Sequence, residues 1–397
     1  MDVRTLTDGR SVTELAGLGF LVLFGGALVV DLMAKLAGVS VGPIGGDLAL
    51  GTLRSRLWSG LVVGLIFGLA GIGLSMTYSI LSFANFSHGD LLTVGAFTGW
   101  GVAFLVAAGG RIDAVILLSV RDASGASPGD IGASVLTAPG SVVAGLVFAA
   151  VATALISLAV DRAFYKPMRD RSGIALLIAS VGVAFVLRYL VQFVYGSRNR
   201  GVTASASVEW NLLEFGGYVF GARGNNVGIY ELVEGADDVG LFAPNAHQLM
   251  VVVAALVLMF AIHVLLQRTK LGTAMRAMAD NKDLALVTGI PAERVVTWTW
   301  LIGGGLAGVS GYLYVLLRGT IDFNFGWLLL LLIFAAVILG GIGSIYGAMA
   351  GGVVIGVVFT TSTIWIPSDF NEAAVFAVMI LVLLVRPSGI FSGVRTA

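Results

Sequence analysis

The sequence contains no cysteine and only three histidines. Disulfides, thiolate metal sites and cysteine nucleophiles are therefore excluded. His88 has no second His or carboxylate cluster spaced to share a metal with it, so no metal site is expected. Charge is scarce too: Asp, Glu, Lys and Arg make up 12% of the 397 residues, against roughly 25% in a soluble domain. With 57% hydrophobic residues and a mean hydropathy of +0.97, that shortage rules out a water-soluble chain. None of the lysines Lys35, Lys166, Lys270 and Lys282 is followed by Ser or Thr, so there is no P-loop for a nucleotide. No Ser/His/Asp set or paired carboxylates stand out either. The chain reads as non-enzymatic and without a cofactor of its own, and any ATP it depends on must be bound elsewhere.

What is abundant is apolar sequence in runs near the roughly 20 residues that cross a bilayer. Spans are expected at Gly17–Val39, Trp58–Phe83, Leu91–Ala108, Ser134–Val160, Ile174–Tyr195, Gln248–Leu266, Val295–Leu317, Gly326–Gly340, Ile345–Ile366 and Ala373–Val385. Ile112–Val120 is apolar but too short to span as a helix. The expected fold is all-α: a polytopic membrane helix bundle of about 8–10 transmembrane helices, multi-pass in the cell membrane. The N-terminus, MDVRTLTDGRSVTEL, is mixed in charge and precedes a run long enough to be an anchor, which argues against a cleaved signal peptide.

Basic residues orient the chain. Arg162, Lys166, Arg169 and Arg171 crowd one loop; Arg268, Lys270, Arg276, Lys282 and Arg294 crowd another; Arg386 follows the last span. All lie on one side if spans alternate, so that side is cytoplasmic. Residues 196–246 then form an extracytoplasmic insert, whose aromatic and Gly-rich pattern is that of a small folded cap. Arg54 and Arg56 fall on the wrong side and make the first span the weakest element of the topology. The expected organisation is an N-terminal extension with an extra helix (1–57), a transmembrane domain (58–391) containing the insert and a polar cytoplasmic segment (270–291), and a short tail (392–397).

Four local patterns carry expectations. Gly60, Gly64 and Gly68, and likewise Gly343, Gly347 and Gly351, recur at every fourth residue, with Gly304 and Gly308 spaced the same way. Such rows let helix backbones touch, and packing within one bundle is preferred over a dimer seam. In SFANFSHGD, the residues Asn85, Ser87, His88, Gly89 and Asp90 interrupt an apolar region. The break is either a surface loop with an N-cap or a half-helix end lining a transport path. Arg188 lies inside a span; the preferred reading has it snorkel to the outer interface, and the alternative has it face a cavity or a partner. Asp31 and Lys35, four apart, are placed to neutralise each other.

Four motifs in order, NFSHGDLLTVGAF, KLGTAMRAMADNKDLALVTGIPAERV, AAVILGGIGSIYGAMAGG and RPSGIF, resemble the permease subunits of branched-chain amino-acid ABC importers, over about Trp58 to Phe391. The resemblance implies a pore-forming permease working by alternating access and paired with an identical chain or a paralogue. It also implies two cytoplasmic ATPases that use ATP and Mg, and an extracytoplasmic substrate-binding protein. In that family the second motif is the coupling helix that docks on the ATPase. Its counterparts here are Arg276, Ala277, Asp280, Asn281, Ala285, Gly289 and Ile290. Ala277, Leu284 and Val287 are expected to pack one face, Arg276 and Asp280 to pair, and Gly289 to end the helix before Pro291. An amphipathic connector on the membrane surface is the plainer reading. The candidate translocation path is Asn85, Ser87, His88, Gly89 and Arg188. The extra N-terminal span and the large insert depart from the family pattern. Related permeases for urea, amides or other small polar solutes leave the solute open, and a stand-alone transporter or channel is the rival class.

Overall fold

A computed structural model describes residues 12–42, 44–110, 131, 133–205, 208–232 and 239–391. The apolar piece 112–120 lies outside them, as do the first residues and the 392–397 tail. The helices are α1 (Val12–Leu36), α2 (Leu50–Leu81), α3 (Ser87–Ala108), α4 (Pro139–Val160), α5 (Gly173–Tyr195), α6 (Ala246–Arg268), α7 (Lys270–Asp280), α8 (Lys282–Val287), α9 (Ala292–Arg318), α10 (Phe325–Gly340), α11 (Ile345–Thr361) and α12 (Asn371–Val385). Among the described residues, eight helical stretches are long and apolar enough to cross a membrane. The expected polytopic bundle is therefore the fold. Arg54 and Arg56 are exposed near the start of α2. At 32 residues that helix outruns the roughly 20 needed to span, so the two arginines need not enter the bilayer core.

The chain divides into two compact units. The first comprises residues 1–71 and 332–397. Here Gly60 and Gly64 face Val357 and Val353 of α11, while Gly352 and Gly356 sit against the backbone of Gly68 and Gly64. A Cβ on Gly64 would lie 2.7 Å from the Val353 Cα, so α2 and α11 touch at backbone distance. Gly347 and Gly351 turn instead toward α10, meeting Gly340 and Ala336. Gly343 is on no helix: it occupies the turn before α11 at φ +87°, a left-handed conformation that glycine adopts without penalty. The expected glycine row of three is thus a turn residue followed by two that meet a neighbouring helix. The late motifs close on each other here: Ile390 and Phe391 donate backbone hydrogen bonds to the Leu339 and Gly340 carbonyls. Gly389 packs on Gly341 so closely that a Cβ would meet its Cα at 2.7 Å. Asp31 accepts from Lys35 at 2.5 Å, from the Trp365 indole at 2.7 Å and from the Gly45 amide at 2.7 Å. The α1 pair is satisfied as expected, with a tryptophan as third partner.

The second unit, residues 72–331, is built on α3, α4 and α9. Small residues line the meeting of these helices: Gly95 against Gly308, Gly99 and Gly145 around the Tyr312 ring, Gly304 against Ser157, and Gly311 against Leu92. Lipid offers no hydrophobic drive between helices, so close van der Waals approach through small residues holds such bundles together. A Cβ on Gly95 would overlap the Gly308 Cα. Gly95→Val is expected to cost about 1–3 kcal/mol by overpacking, read as a lower unfolding temperature in detergent. Gly182→Val, where a Cβ meets nothing within 4 Å, serves as the neutral comparison.

The insert is not helical. Strands β1 (Glu209–Phe215), β2 (Tyr218–Arg223), β3 (Asn226–Glu231) and β4 (Val239–Phe242) form an antiparallel meander. Gly216 and Gly217, both at positive φ, make the two-residue turn between β1 and β2. The folded insert expected from composition is therefore a four-stranded β-sheet in a mostly helical chain.

Candidate functional site

Residues 82–86 separate α2 from α3: Ser82 is exposed and Ala84 and Phe86 are half-buried, while Phe83 and Asn85 are buried, as are Ser87, His88 and Gly89 at the start of α3. Ser82 adopts φ +56° to turn the chain. The Asn85 side-chain oxygen Oδ1 accepts from the Ser87 amide at 3.1 Å and from the Ser87 hydroxyl at 2.6 Å. Tyr165 completes the cluster, its hydroxyl 2.8 Å from Ser87 Oγ and 3.3 Å from Asn85 Oδ1. The Phe86 amide donates to Ser180 Oγ at 3.0 Å. Broken backbone survives away from water only when its polar groups are met in this way. The break is thus exposed at Ser82 and buried from Asn85 into α3, and α3 begins without the side-chain N-cap that the surface-loop reading expects.

Tyr165 lies in a π-helical turn (Asp161–Tyr165) that prolongs α4, and its ring stacks on Trp300 with centroids 5.0 Å apart. Sequence reasoning passed over it, because nothing in FYKPM marks a tyrosine as buried. Asp90, one turn into α3, lies outside the path expected from the sequence. It is fully buried, and its two oxygens accept from Arg188 Nε and Nη2, each at 3.0 Å. The Arg188 guanidinium lies 4.7 Å from the Trp327 ring centroid and 5.3 Å from that of Phe185. The preferred expectation for Arg188 was wrong: it does not snorkel. A bidentate carboxylate and two aromatic faces offer more to a guanidinium than a stretched route to the interface. A signal for this pairing was present, since a buried acid inside one span calls for a base inside another. His88 is buried with its ring beside Gly73, where a Cβ would come within 3.1 Å of His88 Cε1. Among the described residues no group of three or more metal-binding side chains occurs.

The polar segment after α6 is two helices, not one. Thr269 caps α7 through Gly272, and Asn281 leaves helical geometry (φ −155°) to cap α8 by accepting from the Leu284 amide at 3.0 Å. A short polar side chain competes with the helix for backbone donors, so the break falls at Asn281. Gly289, at φ +85°, ends α8: its amide bonds the Leu286 carbonyl and the Ile290 amide bonds the Ala285 carbonyl. This pair of bonds is a Schellman motif, and the stop before Pro291 falls where the sequence placed it. The expected Arg276–Asp280 pair does not form; Arg276 donates to Gln267 of α6 at 3.2 Å, and Asp280 is exposed. Nor do Ala277, Leu284 and Val287 pack one face. Met275, Met278 and Ala285 are buried, whereas Leu284 is 61% and Val287 85% exposed, with Leu286 also exposed. Three aliphatic side chains thus stand out from a short, rigidly capped helix.

Among the described residues, eight helices long enough to span and a capped polar helix pair between two of them define a multi-pass helical membrane protein. The family model described as the branched-chain amino acid transport system permease component matches residues 56–384, and the chain belongs to that family. It is 27% identical over 335 residues to the high-affinity branched-chain amino acid permease LivH of Escherichia coli K12, covering 84% of this chain and 94% of that protein. The same shares and 27% identity hold for BraD of Pseudomonas aeruginosa. A 142-residue stretch is 34% identical to a probable LivH of Methanocaldococcus jannaschii, covering 34% of this chain and 45% of that one. No solved structure matches the chain. It is a membrane transport component of the cell membrane.

Proposed function

We propose that the chain is the pore-forming subunit of an ATP-driven importer for branched-chain or related amino acids, moving its solute by alternating access. The observation that carries this reading is the α7–α8 pair. On the side rich in basic residues, a helix locked at both ends presents Leu284, Leu286 and Val287 to solvent. Unpaired aliphatics on a rigid element are what a groove in a second protein requires. In a chain with no phosphate loop, that second protein is the ATPase, which uses ATP and Mg. Arg276, Ala277, Asp280, Asn281, Ala285, Gly289 and Ile290 shape the docking element rather than all touching the partner.

The names of the relatives support branched-chain amino acids as solute; delivery by an extracytoplasmic binding protein and a pore made with a second permease chain belong to the same proposal. The family match begins at residue 56, which supports reading 1–57 as an addition to the transport domain. The path is proposed to pass the α2–α3 break and the Asp90–Arg188 pair. That pair is internally neutral, so it does not favour a stand-alone transporter that moves coupling ions on a titrating group. Reconstituted with partner ATPases, second permease and binding protein, the chain is expected to take up leucine only when ATP is supplied. Leucine uptake by the purified chain with no ATPase present would sink the proposal.

A further inference from the structure

Where the π-helical turn ends α4 and α9 begins, a cavity of about 280 Å³ is lined by Asp161, Arg162, Lys166, Glu293, Arg294 and Thr297. Its acids are already occupied. Asp161 takes both carboxylate oxygens to Arg169 Nη2, at 2.7 and 3.0 Å. Glu293 is bridged by Lys166 at 3.0 Å and by Arg169. Arg162 and Arg294 make no ion pair among the described residues, and both are exposed. Two guanidinium groups therefore remain uncompensated at one small concavity. The N-terminus of α9 opens at the same place with no side-chain cap, so its positive end adds to the field.

The surroundings say what kind of anion would come. Trp298, one turn further along α9 than Arg294, is 41% exposed, and Phe164, in the same π-helical turn as Arg162, is 45% exposed. Val151 and Leu155 of α4 present an apolar face to the outside. Exposed aromatic rings on the same elements as unpaired basic groups, with an apolar helix face beyond, are the pattern of a membrane–water interface. Basic pockets at that depth suit lipid headgroups, and the volume is at the small end for a ligand site, too small for a protein segment. We propose that this cavity binds the phosphate headgroup of an anionic phospholipid, with Arg162 and Arg294 as its ligands and the acyl chains along α4. The site adjoins the α7–α8 pair through Pro291, so its occupant would sit beside the element proposed to receive the ATPase.

The test uses the purified full chain in neutral detergent, titrated with dioleoyl phosphatidylglycerol, dioleoyl phosphatidylcholine or inorganic phosphate while thermal unfolding is followed. Phosphatidylglycerol is expected to raise the unfolding temperature, and the other two are not. In Arg162→Gln/Arg294→Gln the half-saturating phosphatidylglycerol should rise roughly thirtyfold, because neither side chain then carries a charge to attract the headgroup. Arg162→Lys/Arg294→Lys and the exposed Arg171→Gln should titrate close to the unaltered chain. An equal shift with phosphatidylcholine, an equal shift with inorganic phosphate alone, or an unchanged titration in the Gln variant each overturns the proposal. Because the Gln variant could fail to fold, headgroup photo-crosslinking of phosphatidylglycerol to the unaltered chain is the second measurement. Adducts should fall on the segments around Arg162–Lys166 and Arg294–Trp298, and adducts only elsewhere would refute the site.

Discussion

Asp90→Leu is expected to destabilise the fold by about 3 kcal/mol, the scale for leaving a buried partner charge uncompensated. The carboxylate is fully buried and takes both of the hydrogen bonds that Arg188 makes to it. Its loss strands a guanidinium between Trp327 and Phe185, where the rings offer attraction but no counter-charge. Arg188→Met should cost a comparable amount, because it strands the carboxylate instead. The double variant Asp90→Leu/Arg188→Met should recover to within about 1 kcal/mol of the unaltered chain, since apolar pairs often replace buried ion pairs without loss. Unfolding of all four proteins in mixed micelles measures this cycle. Additive single losses would show that the pair is not coupled. Transport separates structure from path: with stability restored, uptake in the double variant should still fall about tenfold or more, the worth of a charged hydrogen bond to a passing solute. Full uptake by the double variant would confine the pair to a structural role.

Leu284→Asp/Val287→Asp is expected to weaken association with the ATPase about thirtyfold or more, the scale of losing central apolar anchors from an interface. Both side chains are exposed, so the stability of the isolated chain should move by no more than about 0.5 kcal/mol. A conventional core mutation would reverse that pattern. The measurement is co-purification of ATPase with the permease, together with the ATPase rate of the reconstituted complex. Normal ATPase binding by the double variant, with reduced quenching of the segment by lipid-borne probes, would instead assign α8 to the membrane surface as an amphipathic connector. Gly289 matters to either outcome, because its left-handed backbone ends α8 so that Pro291 can start α9.

Local chemistry was legible wherever one short stretch carries its own answer. Apolar length placed the spans, since a bilayer thickness translates directly into residue number. The Gly289 stop and the Asp31–Lys35 pair depend only on neighbours within one or two helical turns, and both stand as read. Asn281 shows the limit of that reading: a polar residue inside a helical pattern can continue the helix or cap a new one, and the geometry of the segment decides between them. The Gly60–Gly64–Gly68 row meets α11, whereas Gly343 left its own row for a turn. Spacing gives the face of a helix but not its partner.

The sequence by itself determined that this is a membrane bundle and where its polar segment stops. These follow from solvent preference and short-range backbone chemistry. Only the tertiary structure decided that Arg188 meets Asp90, 98 residues away, that Tyr165 closes the Asn85–Ser87 cluster, and that Leu284 and Val287 are left without cover. A charge buried in a low-dielectric interior requires a partner, but which one it takes depends on how helices distant in sequence are packed side by side.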